Sequence, residues 1–269
     1  MIKTIGLSQH YGSVKAVDNV DLHIKRGEVT VIMGGSGSGK TTLLRLIAGL
    51  SAPTAGSILF SGEDLAKVGR KRLYELRMQV GMVFQYSALL NSLDVYENVS
   101  FPLHEHTDLD ESVIRTMVTM KLEQVGLRGF ESMMPSQLSG GMAKRVAFAR
   151  ALAMDPQVVF FDEPTSGLDP ISAGVVSSLI HDTTTKTRMT SVVVTHDVQA
   201  GLRIADHVIL LWQGKIIAEG KPASITQSDD PRVQQFIEGR PNGPIPFSRS
   251  DTAYVDDLMH KPGCVRMEQ

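Results

Sequence analysis

One run of residues sets the architecture: Val29-Thr30-Val31-Ile32-Met33-Gly34-Gly35-Ser36-Gly37-Ser38-Gly39-Lys40-Thr41-Thr42. Its first five residues are apolar or β-branched and predict a buried strand, while Thr42–Leu50 has the pattern of a helix. Between them, Gly34–Thr41 fits the spacing G-x-x-x-x-G-K-[ST] of a phosphate-binding loop. The sequence therefore predicts that a loop between strand and helix wraps a phosphate group.

The residues of this loop suit phosphate chemistry. Glycines let the backbone approach closely, and free N–H groups at a helix N-terminus attract anions. Lys40 can reach the β- and γ-phosphates, and Thr41 can ligate Mg²⁺. An ordinary glycine-rich turn is the alternative, but its place between a strand and a helix disfavours it. The candidate nucleotide-binding residues are Gly34, Gly35, Ser36, Gly37, Ser38, Gly39, Lys40, Thr41 and Thr42.

A second motif indicates that a phosphoanhydride is cut. The apolar run Val158–Phe161 predicts a buried strand, and Asp162 and Glu163 follow it. Asp162 suits a Mg²⁺ site and Glu163 can polarise an attacking water. Taken alone, the pattern is equally that of a strand running into a solvated acidic turn. The phosphate loop upstream favours the interpretation as a Walker-B motif.

Short β-rich runs alternate with helical segments, which predicts an α/β fold with a mostly parallel sheet. The continuous apolar runs at 158–161 and 192–194 are typical of central strands covered on both faces. Val20–Ile24 alternates between apolar and polar residues, and Gln213-Gly214 predicts a hairpin, so we expect antiparallel edges. The predicted strands of the alternating pattern are Val29–Met33, Ile58–Phe60, Val80–Phe84, Val158–Phe161, Val192–Thr195 and Val208–Trp212.

Two segments fall outside this alternation. The sequence predicts no strands over residues 86–155, and the apolar residues of Asp110–Val125 have helical spacing. We therefore expect a helical insert here, within a domain of residues 1–240. Proline, asparagine and glycine become frequent after Gly239, so we expect a C-terminal extension over residues 241–269. We expect this extension to strap a second copy of the chain, with a loose terminus as the alternative.

Composition excludes several classes of protein. In 269 residues, 27 Lys and Arg face 29 Asp and Glu, so the formal charge of −2 provides no positive field to hold nucleic acid. The single cysteine, Cys264, excludes an internal disulfide framework and a cysteine-rich zinc site. The first residues lack a secretory signal, and the apolar runs are shorter than the roughly 20 residues of a membrane-spanning helix. We expect a cytoplasmic protein whose membrane role requires a partner.

One further motif carries a family resemblance. Leu138-Ser139-Gly140-Gly141-Met142 resembles the LSGGQ signature of ABC-type ATPases, although Met142 stands where the family has glutamine. The resemblance runs over roughly residues 1–240 and implies a P-loop, RecA-like parallel sheet with a helical subdomain. Further matches are Gln85 to the Q-loop, Ser166-Gly167-Leu168-Asp169 to the D-loop, His196 to the switch histidine and Tyr11 to the aromatic that stacks on adenine.

The resemblance implies an ATPase that works as a head-to-tail homodimer with two ATP molecules between its subunits. Ser139, Gly140 and Gly141 begin a predicted helix, which makes them a second anion site, and in the family this site closes over the other subunit's nucleotide. The family assigns Gln85 and His196 to catalysis beside Glu163, and Gln85 also to Mg²⁺. It assigns Asp169 to the subunit interface. His196 alone fits a satisfied strand-end histidine equally well.

A narrower resemblance is to the ATPase subunits of Mla (maintenance of lipid asymmetry) systems, which are bacterial phospholipid transporters. It implies a transmembrane permease, a Mce-type lipid-binding protein and an accessory subunit as partners, and a place on the cytoplasmic face of the inner membrane. His104-Glu105-His106 lies in one matching stretch; a solvated loop or helix end is favoured over a metal site there because no third ligand is apparent. The matching stretches are Phe101–Thr107, Met120–Glu123, Leu138–Met142, Asp230–Arg232 and Gly243–Phe247.

The segment Gln85–Phe101 is the expected contact with the permease. Its apolar residues either fill the insert's own core or form an exposed groove, and we expect a subset that includes Leu89 or Leu90 to form the groove. Two other functions stay open. An ABC transporter for another solute differs only in its permease. A non-transport ABC ATPase is disfavoured because the chain has one phosphate loop, one cysteine and no heptads.

Overall fold

The computed structural model describes residues 1–245, which form two β-sheets and nine α-helices. The strands are β1 (Ile2–Tyr11), β2 (Val14–Ile24), β3 (Val29–Met33), β4 (Ala55–Phe60), β5 (Glu63–Asp64), β6 (Val80–Val83), β7 (Val158–Asp162), β8 (Thr190–Thr195), β9 (His207–Trp212) and β10 (Lys215–Gly220). The helices are α1 (Lys40–Ile47), α2 (Arg70–Arg77), α3 (Val95–His106), α4 (Glu111–Gln124), α5 (Gly140–Leu152), α6 (Pro170–Thr187), α7 (Val198–Ile204), α8 (Pro222–Thr226) and α9 (Pro231–Glu238).

The larger sheet carries the phosphate loop. Its strand order is β10-β9-β3-β8-β7-β6, in which only the β10–β9 pair is antiparallel. Every residue of β3, β7 and β8 is buried, as expected of central strands covered on both faces. The predicted α/β class with a mostly parallel sheet is confirmed. Gln213 and Gly214, with φ of 47° and 76°, form the predicted turn of the β9–β10 hairpin.

The N-terminal strands form a second sheet of order β2-β1-β4-β5, in which all neighbours are antiparallel. The assignment of Ile58–Phe60 to the parallel sheet is therefore wrong, since these residues belong to β4. Likewise, Val20–Ile24 is not an edge of the parallel sheet. In β4 only Ile58 and Phe60 are fully buried. This one-sided burial is typical of an antiparallel strand, and three residues are too few to reveal it in sequence.

Both sheets and helix α1 share one apolar core. The helix contributes four side chains with no exposed surface, Leu43, Leu44, Leu46 and Ile47. Buried residues of the antiparallel sheet, such as Ile24, and of the parallel sheet, such as Ile32, pack in the same cluster. Because α1 begins at Lys40, this packing fixes the position of the helix N-terminus that follows the phosphate loop.

The segment between β6 and β7 is helical, as predicted, and contains α3, α4, a 3-10 turn at Pro135–Gln137 and α5. Helix α4 begins and ends one residue inside the predicted range 110–125. It buries Ile114, Val118 and Leu122, which lie on one face because they are four residues apart. The insert therefore has its own apolar contacts.

The described residues divide into two compact units, Met1–Gln227 and a second unit that begins at Ser228. In the second unit Asp230 caps α9, and Gly239 ends this helix with φ of 66°. The predicted dimer strap falls mainly on residues 246–269, which lie outside the described residues. Among the helices of residues 1–245, none is long and apolar enough to cross a bilayer.

Asn98 on α3 anchors the loop that follows β6. Its Oδ1 accepts from Leu90 N at 2.8 Å, and its Nδ2 lies within 3.0 Å of the carbonyl oxygens of Leu90, Leu93 and Asp94. The side chain is fully buried. Without this side chain Leu90 O and Asp94 O keep other backbone donors, whereas Leu90 N and Leu93 O lose the hydrogen bond that Asn98 makes to them, which is costly for partly buried groups. Asn98 therefore fixes the path of this loop.

We predict that Asn98→Ala lowers the free energy of unfolding by about 2–3 kcal/mol, because four hydrogen bonds between the helix and the loop are lost together. Urea unfolding followed by circular dichroism measures the change. The matched control is Ser100→Ala on the same helix, since the equally buried Ser100 hydroxyl makes one bond, to the Glu97 carbonyl at 3.3 Å. We expect the control to lose less than about 1 kcal/mol. Equal losses for the two variants would contradict the anchoring role of Asn98.

Candidate active site

The phosphate loop runs closely against neighbouring backbone. Gly39 has φ of 100° and caps α1, and a Cβ there would lie 2.0 Å from the carbonyl oxygen of Ala16. A Cβ on Gly34 would lie 2.3 Å from the carbonyl oxygen of Leu211. Neither position therefore tolerates a side chain unless the backbone moves. The glycines are required by the packing of the loop, and they leave its N–H groups accessible to an anion.

Lys40 is the cation of this loop. It is 8% exposed, and its Nζ donates to the carbonyl oxygens of Gly34 at 2.8 Å and Gly35 at 3.0 Å. Burial lowers the pKa of Lys40, and the nearby carboxylates of Glu163 and Asp162 partly oppose this shift. Carbonyl oxygens are neutral partners for this buried ammonium group. A bound phosphate would stabilise the ammonium because it supplies a full negative charge beside it.

Asp162, at the end of β7, lies beside the loop. The hydroxyl of Thr41 donates to its Oδ1 at 3.5 Å, which places two oxygen ligands together. Burial raises the pKa of Asp162, the neighbouring Glu163 raises it further, and Arg45 opposes both. A cation bound here would favour the ionised carboxylate. The hydroxyl and carboxylate suit Mg²⁺, which commonly takes one or two protein oxygens with phosphate and water as its other ligands.

Within residues 1–245 no group of three or more His, Cys, Asp and Glu side chains could hold a metal ion. A metal at Thr41 and Asp162 would thus depend on oxygens from a bound polyphosphate. His104, Glu105 and His106 are the last residues of α3, which is the predicted helix end, and His104 Nε2 lies 3.6 Å from Glu111 Oε2. His106 bonds the hydroxyl of Tyr74 at 2.9 Å.

Glu163 and His196 form a pair at the carboxyl ends of two adjacent strands. His196 Nδ1 lies 2.9 Å from Glu163 Oε2, and the backbone N–H of His196 donates to the same oxygen at 3.4 Å. Glu163 has φ of 48°, which is uncommon for a residue with a side chain, and its N–H donates to Val194 O at 2.9 Å. The carboxylate is buried while the imidazole is exposed, so the pair faces the surface where a reactant would enter.

A cavity of about 380 Å³ opens over the loop. It is lined by Val14, Lys15, Ala16 and Gln213 together with Gly37–Thr42 of the loop and α1. The buried hydroxyl of Ser38 has no hydrogen-bond partner among the described residues, so a ligand in this cavity could supply one. Tyr11 lies at the end of β1, just before this wall, and is 57% exposed.

Gln85 follows β6, and its backbone carbonyl accepts a hydrogen bond from Lys144 Nζ. In residues 1–245 its side chain makes no hydrogen bond to Thr41 or Asp162. The structure therefore does not place the Gln85 amide on the candidate metal ligands, although its backbone is fixed nearby through Lys144.

Ser139 and Gly140 lie at the exposed start of α5, where Ser139 Oγ accepts from Met142 N at 3.2 Å. A Cβ on Gly141 would lie 3.2 Å from Ser172 Cβ, so this end packs near the start of α6. Within the described part of the chain, no hydrogen bond joins these residues to Gly34–Thr42. The start of α5 is therefore not hydrogen-bonded to the phosphate loop of the same chain.

Asp169 caps α6 in this structure. Its Oδ1 accepts from the N–H groups of Ile171 and Ser172, each at 3.0 Å. A hydrogen bond from the Ser172 side chain lowers the pKa of Asp169 most, and the backbone N–H groups of Ser172 and Ile171 lower it further. The carboxylate therefore stays ionised at the same end of the molecule as Ser139.

Sequence reasoning missed two cations of α5, Lys144 and Arg150. Lys144 is 6% exposed and reaches Gln85 and Glu163, whereas Arg150 donates to the carbonyl oxygens of Ala88 at 2.8 Å and Ser87 at 3.0 Å. The available signal was a lysine and an arginine on either side of the apolar run 146–149. Spacing alone does not reveal which carbonyls such residues contact.

Comparisons with known proteins agree with this geometry. The family model described as ABC transporter matches residues 17–166, which is more than half of the chain. The intermembrane phospholipid transport system ATP-binding protein MlaF of Haemophilus influenzae is 47% identical over 96% of this chain and 98% of its own. A probable ribonucleotide transport ATP-binding protein, mkl of Mycobacterium leprae, is 42% identical over 92% of this chain and 71% of its own.

A solved structure shares the fold. The dimeric ATP-binding cassette MJ0796, bound to ADP and Pi in a post-hydrolysis state, has a TM-score of 0.76 and 33% identity over 82% of this chain and 99% of its own. The phosphate loop, the carboxylates after β7 and the signature at the start of α5 are thus found in a chain whose matches are ATP-binding cassettes. The chain belongs to the ABC transporter family.

Proposed function

We propose that the chain is the ATP-hydrolysing subunit of a bacterial ABC transporter that moves phospholipid. The observation that carries the catalytic part is the Glu163–His196 pair, 2.9 Å apart, beside the Thr41–Asp162 contact. A nucleotide-binding regulator needs only the loop. The buried carboxylate after Asp162 adds a base where the terminal phosphate would lie.

ATP binds at the loop Gly34–Thr42, with Lys40 on its phosphates and Tyr11 beside its base. Thr41 and Asp162 would hold Mg²⁺, which would neutralise phosphate charge, and the Gln85 side chain would join them once nucleotide is bound. Glu163 accepts a proton from the water that attacks the γ-phosphorus, and ADP leaves as the phosphoanhydride breaks. His196 orients the carboxylate through Nδ1 and presents the rest of its ring toward the phosphate. The Thr41–Asp162 and Glu163–His196 distances support these roles.

Two copies of the chain complete each site. Ser139, Gly140 and Gly141 make no hydrogen bond to the phosphate loop of their own chain, which supports this arrangement. Their helix N-terminus can bind an anion, and the phosphate it binds would then be held by the other copy. Asp169 lies at the same end and belongs to the proposed interface. The dimeric state of the MJ0796 cassette is consistent with a head-to-tail homodimer.

The permease docks on a groove next to the loop after β6. A cavity of about 410 Å³ there is lined by Phe84, Leu90 and Phe101, whose exposed fractions are 41%, 38% and 42%. Exposed apolar side chains around a cavity favour a protein partner. Leu89 does not line this cavity, so Leu90 is the better candidate of the two predicted residues. The proposed complex also contains a Mce-type protein and an accessory subunit at the cytoplasmic face of the inner membrane.

Phospholipid is the proposed cargo because the relative named for phospholipid transport matches at higher identity and over nearly its whole length. A ribonucleotide or other solute is the alternative. Purifying the tagged chain from its native membranes tests this choice. We expect phospholipid and a permease to copurify and reconstituted vesicles to transfer labelled phospholipid only with ATP. Transfer of another solute without lipid transfer would contradict the proposal.

We predict that Glu163→Gln lowers kcat at least about 100-fold, since an amide cannot accept the proton of the attacking water. ATP stays trapped in the dimer, and a filter-binding assay with labelled ATP measures the trapped fraction. The exposed carboxylate Glu219 on β10 provides the control, because Glu219→Gln leaves turnover unchanged. Robust hydrolysis by Glu163→Gln would remove this residue from its role.

We predict that Leu90→Glu uncouples hydrolysis from transport. A charge in the groove opposes docking of an apolar partner and weakens permease binding at least about tenfold. The isolated chain keeps its affinity for ATP, because the groove is separate from the phosphate loop. Lipid transfer per ATP hydrolysed in vesicles is the measurement, with Met120→Glu, on exposed α4 surface, as the control. Normal coupling by Leu90→Glu would exclude this groove as the docking site.

A further inference from the structure

Helix α5 holds the loop after β6 through its cations. Arg150 binds the carbonyls of Ser87 and Ala88, and Lys144 binds that of Gln85. Ser87 and Ala88 have φ of 62° and 49°, so their carbonyls do not continue regular structure. Helix α5 therefore donates hydrogen bonds to three of the four backbone carbonyls in the segment 85–88.

Lys144 also reaches a second backbone position. Its Nζ lies 3.4 Å from the carbonyl oxygen of Glu163, which accepts from Ser166 N at 3.2 Å as well. The lysine thus bridges the backbone of Gln85 to that of Glu163. Its side chain is the link between the loop after β6 and the residue proposed as the base.

This placement of a lysine is energetically costly. Burial lowers the pKa of Lys144, although Asp162 and Glu163 partly offset the effect. Only carbonyl oxygens accept hydrogen bonds from its ammonium group among the described residues. An apolar side chain would fill the space at lower cost, so the bonds themselves are what lysine provides here.

The backbone of Glu163 needs such support. With φ of 48° it occupies the left-handed region, which is unfavourable for a non-glycine residue and persists only when neighbours enforce it. Val194 O holds its N–H, while Ser166 and Lys144 hold its carbonyl. A rotation of this backbone would carry the carboxylate away from His196.

We propose that Lys144 is a positioning residue that fixes Glu163 and Gln85 to the helix carrying Ser139, so that the carboxylate points correctly for hydrolysis. This inference rests on the proposed ATPase function. It assigns Lys144 no contact with ATP. Loss of its hydrogen bonds slows the chemical step and leaves nucleotide affinity in place.

The test is Lys144→Met in the full-length chain assembled with its permease. We expect kcat to fall at least about tenfold while KM for ATP stays within about threefold, because only a transition-state arrangement is lost. Arg145→Met is the matched control: Arg145 is the next residue of α5 and donates to the carbonyls of Val125 at 3.0 Å and Gly126 at 3.1 Å, away from the site. We expect the control to keep kcat within about twofold.

A double-mutant cycle separates positioning from a general loss of structure. Since Lys144 acts through Glu163, adding Lys144→Met to Glu163→Gln should change the residual single-turnover rate by less than about twofold. A tenfold fall in both backgrounds, a parallel rise in KM, or an unchanged kcat in the single variant overturns the proposal. If Lys144→Met does not fold, Lys144→Gln, which keeps a neutral donor, should retain kcat within about threefold. A folded Lys144→Gln enzyme slowed tenfold also overturns the proposal.

Trapping of ATP by Glu163→Gln, with Lys144 intact, distinguishes a failure of the proposed ATPase function from a failure of the proposed role of Lys144. No trapping there, with Glu163→Gln still turning over, contradicts the proposed function itself. Trapping there, together with an unchanged kcat in Lys144→Met, contradicts only the role of Lys144.

Discussion

The nucleotide site depends on opposite charges that are buried together at one end of the parallel sheet. Lys40, Asp162 and Glu163 are each no more than 8% exposed. Burial shifts the pKa of Lys40 downward and that of Asp162 upward, so neither charge is fully satisfied by the protein alone. A polyphosphate with a divalent cation offsets both penalties at once. The fold prepares this site by packing α1 between its two sheets.

The start of α5 is the proposed second anion site of the chain. Ser139 begins α5 at an exposed position, and the same helix continues to Lys144 and Arg150, which hold the loop beside the apolar groove. A movement of the proposed docking groove would therefore reach the signature through one helix. This continuity gives a physical route by which a partner at Leu90 and a nucleotide at Lys40 affect each other.

Several motifs could be predicted from sequence because each is formed by residues that are consecutive in the chain. The phosphate loop, the strand before Asp162 and the hairpin at Gln213 each lie within a few consecutive residues, and the structure places them as predicted. The antiparallel sheet was missed because its pairs join residues far apart, such as Ile2 and Phe60. The bridge made by Lys144 was missed for the same reason, since carbonyl partners leave no pattern of residue types.

In the proposed dimer one ATP is bound by two copies of the chain. A structure of the full-length protein with a non-hydrolysable ATP analogue and Mg²⁺ would show whether this is so. We expect Ser139 of the partner subunit within about 3.2 Å of a phosphate oxygen of the analogue held by Lys40. An analogue contacted by a single copy, with Ser139 far from every phosphate, would contradict it.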